Sequence, residues 1–475
     1  MTKKAEKIDL PMVLIRLMMI FAIFGSPVVL RAEAFSVGDE RDVGEKIQSL
    51  IRKDFKLIDH PDVAQYINDL GDQVLTAAGP QYFNYQFFVI DNADFNAFAA
   101  PSGLIFIHSG LISSMDTEDE LLGVIAHEVG HVTNRHLANR IEKAAKVNIG
   151  TVAMVLAGIA LGSSGEGELS EAVVAGAMAA GVSLNLKFSR ENEEEADRLS
   201  FNWMKKMGRD PGALLSMLSK MRRISILKTG KVPAYLLTHP DPAQRMGYVS
   251  DLLNAFPATL PTTDRSDFDF QRIRFRILAN SRDNKNLIIR LQKKIKSGND
   301  HDYMSRLGLA QVYLQEGDFS KARKYLDQLI SKFPEHPILK TDLGTTYLKE
   351  GNAKKAQALF KESLKADREC AFTIFNLART LENDNKYNKA IELYEELLAR
   401  VPTFAKSHYY LGQAWTKTGQ AGIGHYHTSI FNWLEGDIKN ARYHLGKAME
   451  LLPADSPYRN RSKEMLEKII RLEKL

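Results

Sequence analysis

Four pairs of residues, Leu309-Ala310, Leu343-Gly344, Leu377-Ala378 and Leu411-Gly412, recur every 34 residues in the C-terminal part of this chain. Gly317, Gly351, Asn385 and Gly419 keep the same interval, as do Ala322, Ala356 and Ala390. A unit of that length cannot bury its own apolar face. Neighbouring units must therefore stack, and the small residues let two helices per unit pack into a superhelix. After Gly419 the register slips, because "GDIKNAR" sets Gly436 and Ala441 each 17 residues late, half a unit. One extra helix around "GHYHTSIFNWLE" accounts for the slip. Its aromatic side chains would pack on the preceding helices or receive a partner.

The period is that of tetratricopeptide repeats, so residues 303–475 are expected to form an α-solenoid with "PYRNRSKEMLEKIIRLEKL" as its last helix. Residues 266–302 read as helices joining it to what precedes. At 475 residues the chain has ample length left for another domain. A hydrophobic fraction of 44% and a charged fraction of 25% are those of a folded protein. The net charge is only +5 and no Lys/Arg block is interleaved with aromatics, which argues against nucleic acid as a partner. The single cysteine, Cys370, rules out an intrachain disulfide and any CxxC site, and reads as a small core residue.

At the N-terminus, Lys3, Lys4 and Lys7 precede the apolar "LMMIFAIFGSPVVL", and "AEA" at 32–34 fits a small-x-small cleavage site. Residues 1–34 therefore read as an export signal. The alternative is an uncleaved inner-membrane anchor over residues 10–30 that tolerates Arg16. No cysteine at the cleavage site supports a lipid anchor.

Residues 35–265 read as one domain with a different pattern. From about 40 to 75, apolar residues at three and four spacing predict amphipathic helices. "YQFFVID" (85–91) and "GLIFIHSGLI" (103–112) are rich in β-branched and aromatic residues and predict neighbouring strands of a small sheet. "TEDELLGVIAHEVGHVTNRHLANRI" then reads as a helix started by Thr117, with Glu120 three residues on as in a capping box. Two Gly/Ala-rich apolar stretches between 147 and 187 are each short for a membrane span. They predict packed helices or a mobile lid, with reversible membrane-surface contact as a further expectation.

Within that long helix, "HEVGH" places His127 and His131 four apart, on one face, with Glu128 beside them. Two imidazoles so placed can hold a zinc ion while the glutamate serves as a base, the H-E-x-x-H arrangement of metalloproteases. With 12 His in the chain, the pattern would arise by chance about 0.02 times. Asn134 and Leu137 stand where metzincins need Gly and His, so the third ligand comes from elsewhere. "SRENEEEADRLS" offers it: on a helix one carboxylate can bind the metal while Asp197 accepts the ring N–H of a ligating histidine. Spacing alone leaves Glu193 and Glu194 both open as that ligand.

"HEVGHVTNRH", "SRENEEEAD" and "THPDPAQR", in that order behind "NAFAAPSGLIFIHSGLI", resemble the zinc metallopeptidase family that includes the CAAX prenyl endopeptidase and the heat-shock peptidase HtpX. The resemblance implies a mostly α architecture, an α+β gluzincin-type domain with a small sheet followed by the α-solenoid. It selects Glu193 as third ligand to one Zn²⁺ and Asp197 as its neighbour. It also maps a T-H-P-x-x-x-x-R pattern onto Thr238, His239, Pro240 and Arg245, where His239 would cap the ion or polarise the substrate carbonyl. One departure is Ser200, where relatives often carry Gly.

The implied reaction is peptide hydrolysis, with Glu128 moving the water proton and His239 or Arg245 meeting the developing negative charge. An extended substrate would lie along an edge strand supplied by "NAFAAPSG", touching Asn96 and Ala97. Family members that carry an export signal in front and such repeats behind imply a periplasmic protease of a Gram-negative cell. Its substrates would be unfolded or misassembled proteins, and its repeats would dock the outer-membrane protein assembly machinery. A repeat scaffold or chaperone that holds clients without cutting them is the competing class; the intact Glu128 argues against it.

Overall fold

In the computed structural model, the described residues are 36–143, 187–227, 235–240, 242–256, 267–280, 284–297 and 302–474. The export signal expected at 1–34 and, Lys187 apart, the two apolar stretches between 147 and 187 lie outside them. Among the described residues no helix is long and apolar enough to cross a membrane.

The N-terminal part runs α1 (Val37–Asp54), α2 (Pro61–Ala78), β1 (Gln86–Ile90), β2 (Ala97–Ala100), β3 (Leu104–His108), α3 (Ser109–Ser114), α4 (Glu118–Thr133), α5 (His136–Lys143), α6 (Arg190–Lys206), α7 (Gly212–Leu227), α8 (Tyr235–Thr238) and α9 (Pro242–Ala255). The sheet order is β1-β3-β2, with β1 parallel and β2 antiparallel to β3. Strand alternation sends Phe87, Val89, Ala97, Ala99, Ile105 and Ile107 into a core shared with α2, α4, α6 and α7. Phe88, Ile90, Phe98, Leu104 and Phe106 point the other way, onto α1 and α5. Both faces are covered, which is why these strands read as nearly continuous apolar runs.

Two expected boundaries move. The strand foreseen to 112 ends at His108, because Ser109 exchanges hydrogen bonds with the Asn92 backbone and turns the chain into α3. A Cβ on Gly110 would sit 2.2 Å from the Ala93 carbonyl oxygen, so the turn is tight. The single helix foreseen to 141 breaks after Thr133, where Arg135 adopts φ 51°. Thr117 caps α4 through the Glu120 N–H, but the Glu120 carboxylate accepts from Asp116 N–H rather than closing the box on Thr117.

The C-terminal part continues with α10 (Phe268–Ala279), α11 (Asn284–Lys296), α12 (Tyr303–Glu316), α13 (Phe319–Lys332), α14 (Ile338–Lys349), α15 (Ala353–Ala366), α16 (Ala371–Asn383), α17 (Tyr387–Arg400), α18 (Ala405–Lys417), α19 (Ala421–Leu434), α20 (Ile438–Leu451) and α21 (Pro457–Lys474). Ala322, Ala356, Ala390 and Ala441 are fully buried where helices cross. Gly317, Gly351, Asn385 and Gly419 all take positive φ between paired helices, as the repeat requires. Gly436 does the same after α19, the extra helix. Helix α10 belongs to both cores: Phe270, Ile273 and Ile277 pack with the sheet domain, and Phe268, Phe275 and Ala279 with the solenoid.

The solenoid grips α1 and α2 at separate places. Buried Arg272 of α10 donates to Asp342 of α14 at 2.8 and 2.9 Å and to Asp62 of α2 at 2.9 Å. Arg276 bridges the same two carboxylates, and Gln311 adds a hydrogen bond of 2.9 Å to Asp342. Gln65 of α2 bonds the backbone of Glu369 and Ala371. Arg52 and Lys46 of α1 cap the carbonyls of Leu434 and Leu472, and Arg471 of α21 pairs with Glu45.

At the α19–α20 turn the backbone itself forms the joint. A Cβ on Gly436 would lie 2.6 Å from Lys53 Cα, whereas one on Gly351 would meet nothing within 4 Å among the described residues. Gly351→Ala is expected to cost only left-handed strain, about 1–2 kcal/mol. Gly436→Ala adds overpacking of about 1–3 kcal/mol. Thermal denaturation of the two variants checks this, and equal shifts would mean that the Gly436–Lys53 contact does not hold in solution.

Candidate metal centre

Small residues bring the two site helices together. A Cβ on Gly130 of α4 would lie 3.2 Å from Ala196 Cα of α6, so the helices approach with almost no side chain between them. Ser200, the departure from the family pattern, is buried one turn on and donates its hydroxyl to the Gly123 carbonyl at 3.0 Å. That bond satisfies the polar group which the missing glycine would not have had.

The close approach lets His127, His131 and Glu193 meet, with His239 closing the group from beyond α8. One ligand atom from each of the four lies within 4.8 Å of the others, and all four residues are buried. His127 Nε2 and His131 Nε2 are 3.0 Å apart, and they stand 3.6 and 3.5 Å from the Glu193 oxygens. His239 Nδ1 is 2.8 Å from Glu193 Oε1, and its ring stacks on Tyr235 at 4.0 Å between centroids. Glu194, the other candidate, pairs instead with Arg198 on the exposed side of α6.

Asp197 stands behind His127, with its Oδ1 2.7 Å from Nδ1, so the imidazole donates there and turns Nε2 to the cluster. Arg245 clamps Asp197 at 2.9 and 2.7 Å, lies 2.8 Å from Glu193 Oε2, and bonds the Tyr235 hydroxyl; Tyr248 also bonds Asp197. Arg245, expected to meet developing charge on the substrate, has its donors on two carboxylates and a phenol in this arrangement, so it holds Asp197 and Glu193 in place. Tyr235 and Tyr248 were not singled out from the sequence, because nothing local ties Tyr248 to a carboxylate about fifty residues away or marks Tyr235 as the partner of Arg245.

Charges around the cluster favour a cation. Burial would raise the Glu193 pKa, but His239 and Arg245 hold it well below the usual carboxylate range. Asp197, against the same burial, is held at about 2 by Arg245 and His127. For His127, burial and Arg245 oppose a proton, yet Asp197 and Glu193 outweigh them and push its pKa up to about 9. Burial and the neighbouring His127 hold His131 well below its ordinary value, which leaves a lone pair free.

The donor set therefore fits a divalent metal, and orphaned atoms point the same way. Both Glu128 carboxylate oxygens and His239 Nε2 are buried without a hydrogen-bond partner among the described residues, and Glu128 Oε1 lies 3.8 Å from that nitrogen. Beside His131, space bounded by Ala99, Ala100, Phe188 and Arg135 amounts to about 10 Å³, room for one water at most. The strand expected to hold substrate is β2, at one edge of the sheet. Asn96 and Ala97 are buried, 1% and 0% exposed, so contact there would run through backbone rather than through these side chains.

Known proteins share both halves. The profile of Peptidase family M48 matches residues 61–252, and tetratricopeptide-repeat profiles match 313–379 and 375–421. The beta-barrel assembly-enhancing protease of Escherichia coli is 30% identical over 305 residues, 63% of this chain and 61% of that protein. Its Yersinia pestis counterpart is 30% identical over 304 residues, with the same coverage. The chain thus spans less than two thirds of the length of these curated relatives. Metalloprotease LoiP of Escherichia coli is 31% identical over 191 residues, 40% of this chain and 68% of LoiP. With the H-E-x-x-H helix, the buried His/Glu cluster and these matches in agreement, the chain belongs to peptidase family M48.

Proposed function

We propose that this chain is a zinc-dependent endopeptidase of the periplasm that cuts misassembled outer-membrane proteins. The observation that carries the reading is the buried convergence of His127, His131, Glu193 and His239 beside a Glu128 carboxylate that has no hydrogen-bond partner among the described residues. Zinc suits two imidazoles and a carboxylate, and when bound it would lower the pKa of water and polarise the scissile carbonyl. Glu128 takes the proton of the attacking water as its oxygen bonds the carbonyl carbon. It returns that proton to the amide nitrogen as the C–N bond breaks. Arg245 and Asp197 keep Glu193 and His127 aimed throughout.

His239 bonded to Glu193, together with the small space beside His131, is a closed arrangement, so His239 moves before a peptide enters. Substrate then pairs by backbone with the β2 edge, which tolerates many sequences and suits poorly folded clients. The likeness to beta-barrel assembly-enhancing proteases supports stalled barrel precursors as those clients. It also supports docking of the solenoid on the machinery that assembles them.

Metal analysis of purified protein, paired with degradation of casein and of an unfolded barrel protein, tests the reading. Glu193→Ala is expected to lose the metal, whereas Glu194→Ala retains it. Loss in both variants, or in neither, would remove Glu193 as the ligand.

A further inference from the structure

Five residues apart on an unbroken helix, His131 and His136 would point about 140° away from each other. The break at Arg135 cancels that angle. Arg135 takes φ 51°, a conformation that L residues rarely adopt, and the buried Glu40 carboxylate holds its guanidinium, with Nε to Oε1 at 2.6 Å. As a result His136 Nδ1 lies 2.9 Å from His131 Nδ1, and His136 Nε2 lies 2.9 Å from Glu195 Oε2.

We propose that His136, oriented by Glu195, is a positioning residue that fixes the tautomer of the metal ligand His131. A carboxylate only accepts, so the hydrogen of neutral His136 sits on Nε2 and its Nδ1 is a bare acceptor. His131 must then donate from Nδ1. Its Nε2 is left with a lone pair directed at His127 and Glu193, at 3.0 and 3.5 Å. Asp197 does the same for His127, so each ligating imidazole has its own partner on the far nitrogen. Phe188 stacks on the His131 ring at 3.9 Å between centroids and blocks rotation that would break the chain. The Glu195 side chain is 58% exposed, which makes the outer end of the relay accessible to mutation without disturbing the core.

The inference rests on the metal-site reading above, and zinc affinity measured by chelator competition tests it apart from any activity. His136→Leu removes the acceptor and is expected to weaken zinc binding about 10- to 100-fold. His136→Gln supplies an amide oxygen towards His131 and an N–H towards Glu195, and is expected to bind close to wild type. Glu195→Lys presents only donors, which reverses every hydrogen bond and places the His131 hydrogen on Nε2; a loss of the same size is expected. If His136→Leu does not fold, Glu195→Lys decides alone, alongside ¹⁵N NMR of the zinc-free wild type, which should show His131 protonated at Nδ1. Wild-type affinity in Glu195→Lys, or a bare His131 Nδ1, overturns the proposal. Absence of zinc binding by the wild type would instead sink the metal site itself.

Discussion

Glu128→Gln is expected to lower peptide cleavage about 10²- to 10⁴-fold while leaving metal content and melting temperature unchanged. The side chain is fully buried and neither carboxylate oxygen has a hydrogen-bond partner among the described residues, so an isosteric amide breaks no hydrogen bond seen there. What is lost is the group able to take a proton from water and pass it to the leaving nitrogen. The loss should fall on kcat and leave KM nearly as it was, because Glu128 is not asked to bind the ground state. Rates on casein, with metal analysis and a melting curve on the same preparations, check all three statements. Equal rates for the two proteins would remove Glu128 from the chemistry and restore the scaffold reading.

Asp342→Leu is expected to destabilise the protein by about 3–5 kcal/mol, the cost of leaving buried charge uncompensated. Asp342 is fully buried and is bound by Arg272, Arg276 and Gln311. Without it two guanidinium groups face Asp62 alone. Burial opposes both carboxylates, but the two arginines outweigh it, and the pKa of Asp62 and of Asp342 lies below the ordinary value. A depressed folded-state pKa means that this stability is present above the unfolded value, near pH 4, and is lost as pH falls through the folded value. Wild type should therefore lose stability below about pH 4, and Asp342→Leu should lose less over the same interval. Urea denaturation at neutral and acid pH measures both. A variant within 1 kcal/mol of wild type at pH 7 would show that the cluster does not hold the halves together.

The repeats were legible because their constraint is local and periodic: a small residue at each crossing and a left-handed residue at each turn recur at fixed spacing. The H-E-x-x-H pair was legible because four residues on a helix share a face. Glu193 was separable from Glu194 only through resemblance. What chooses between them is how α6 is rotated against α4, and Gly130 meeting Ala196 sets that rotation. The helix break at Arg135 was missed since Asn134-Arg135 carries no glycine or proline to announce it. The contacts of Arg245 to Glu193, Asp197 and Tyr235 were not legible for a related reason, because these groups are scattered along the chain from 193 to 235. The cluster of Asp62, Arg272, Arg276 and Asp342 left no signal at all, its members being ordinary charges until the fold assembles them.

Arrays of this kind usually fray from their outermost unit, since each unit leans only on its neighbours. Here the final helix, α21, is latched to α1 through Lys46, Glu45 and Arg471, so the first and last described helices form a buckle. The half-unit insertion brings this about by carrying the Gly436 turn against Lys53. Unpeeling the array from its end therefore means prising α1 off the sheet that backs the ligand helix, and the two halves lose the freedom to melt independently.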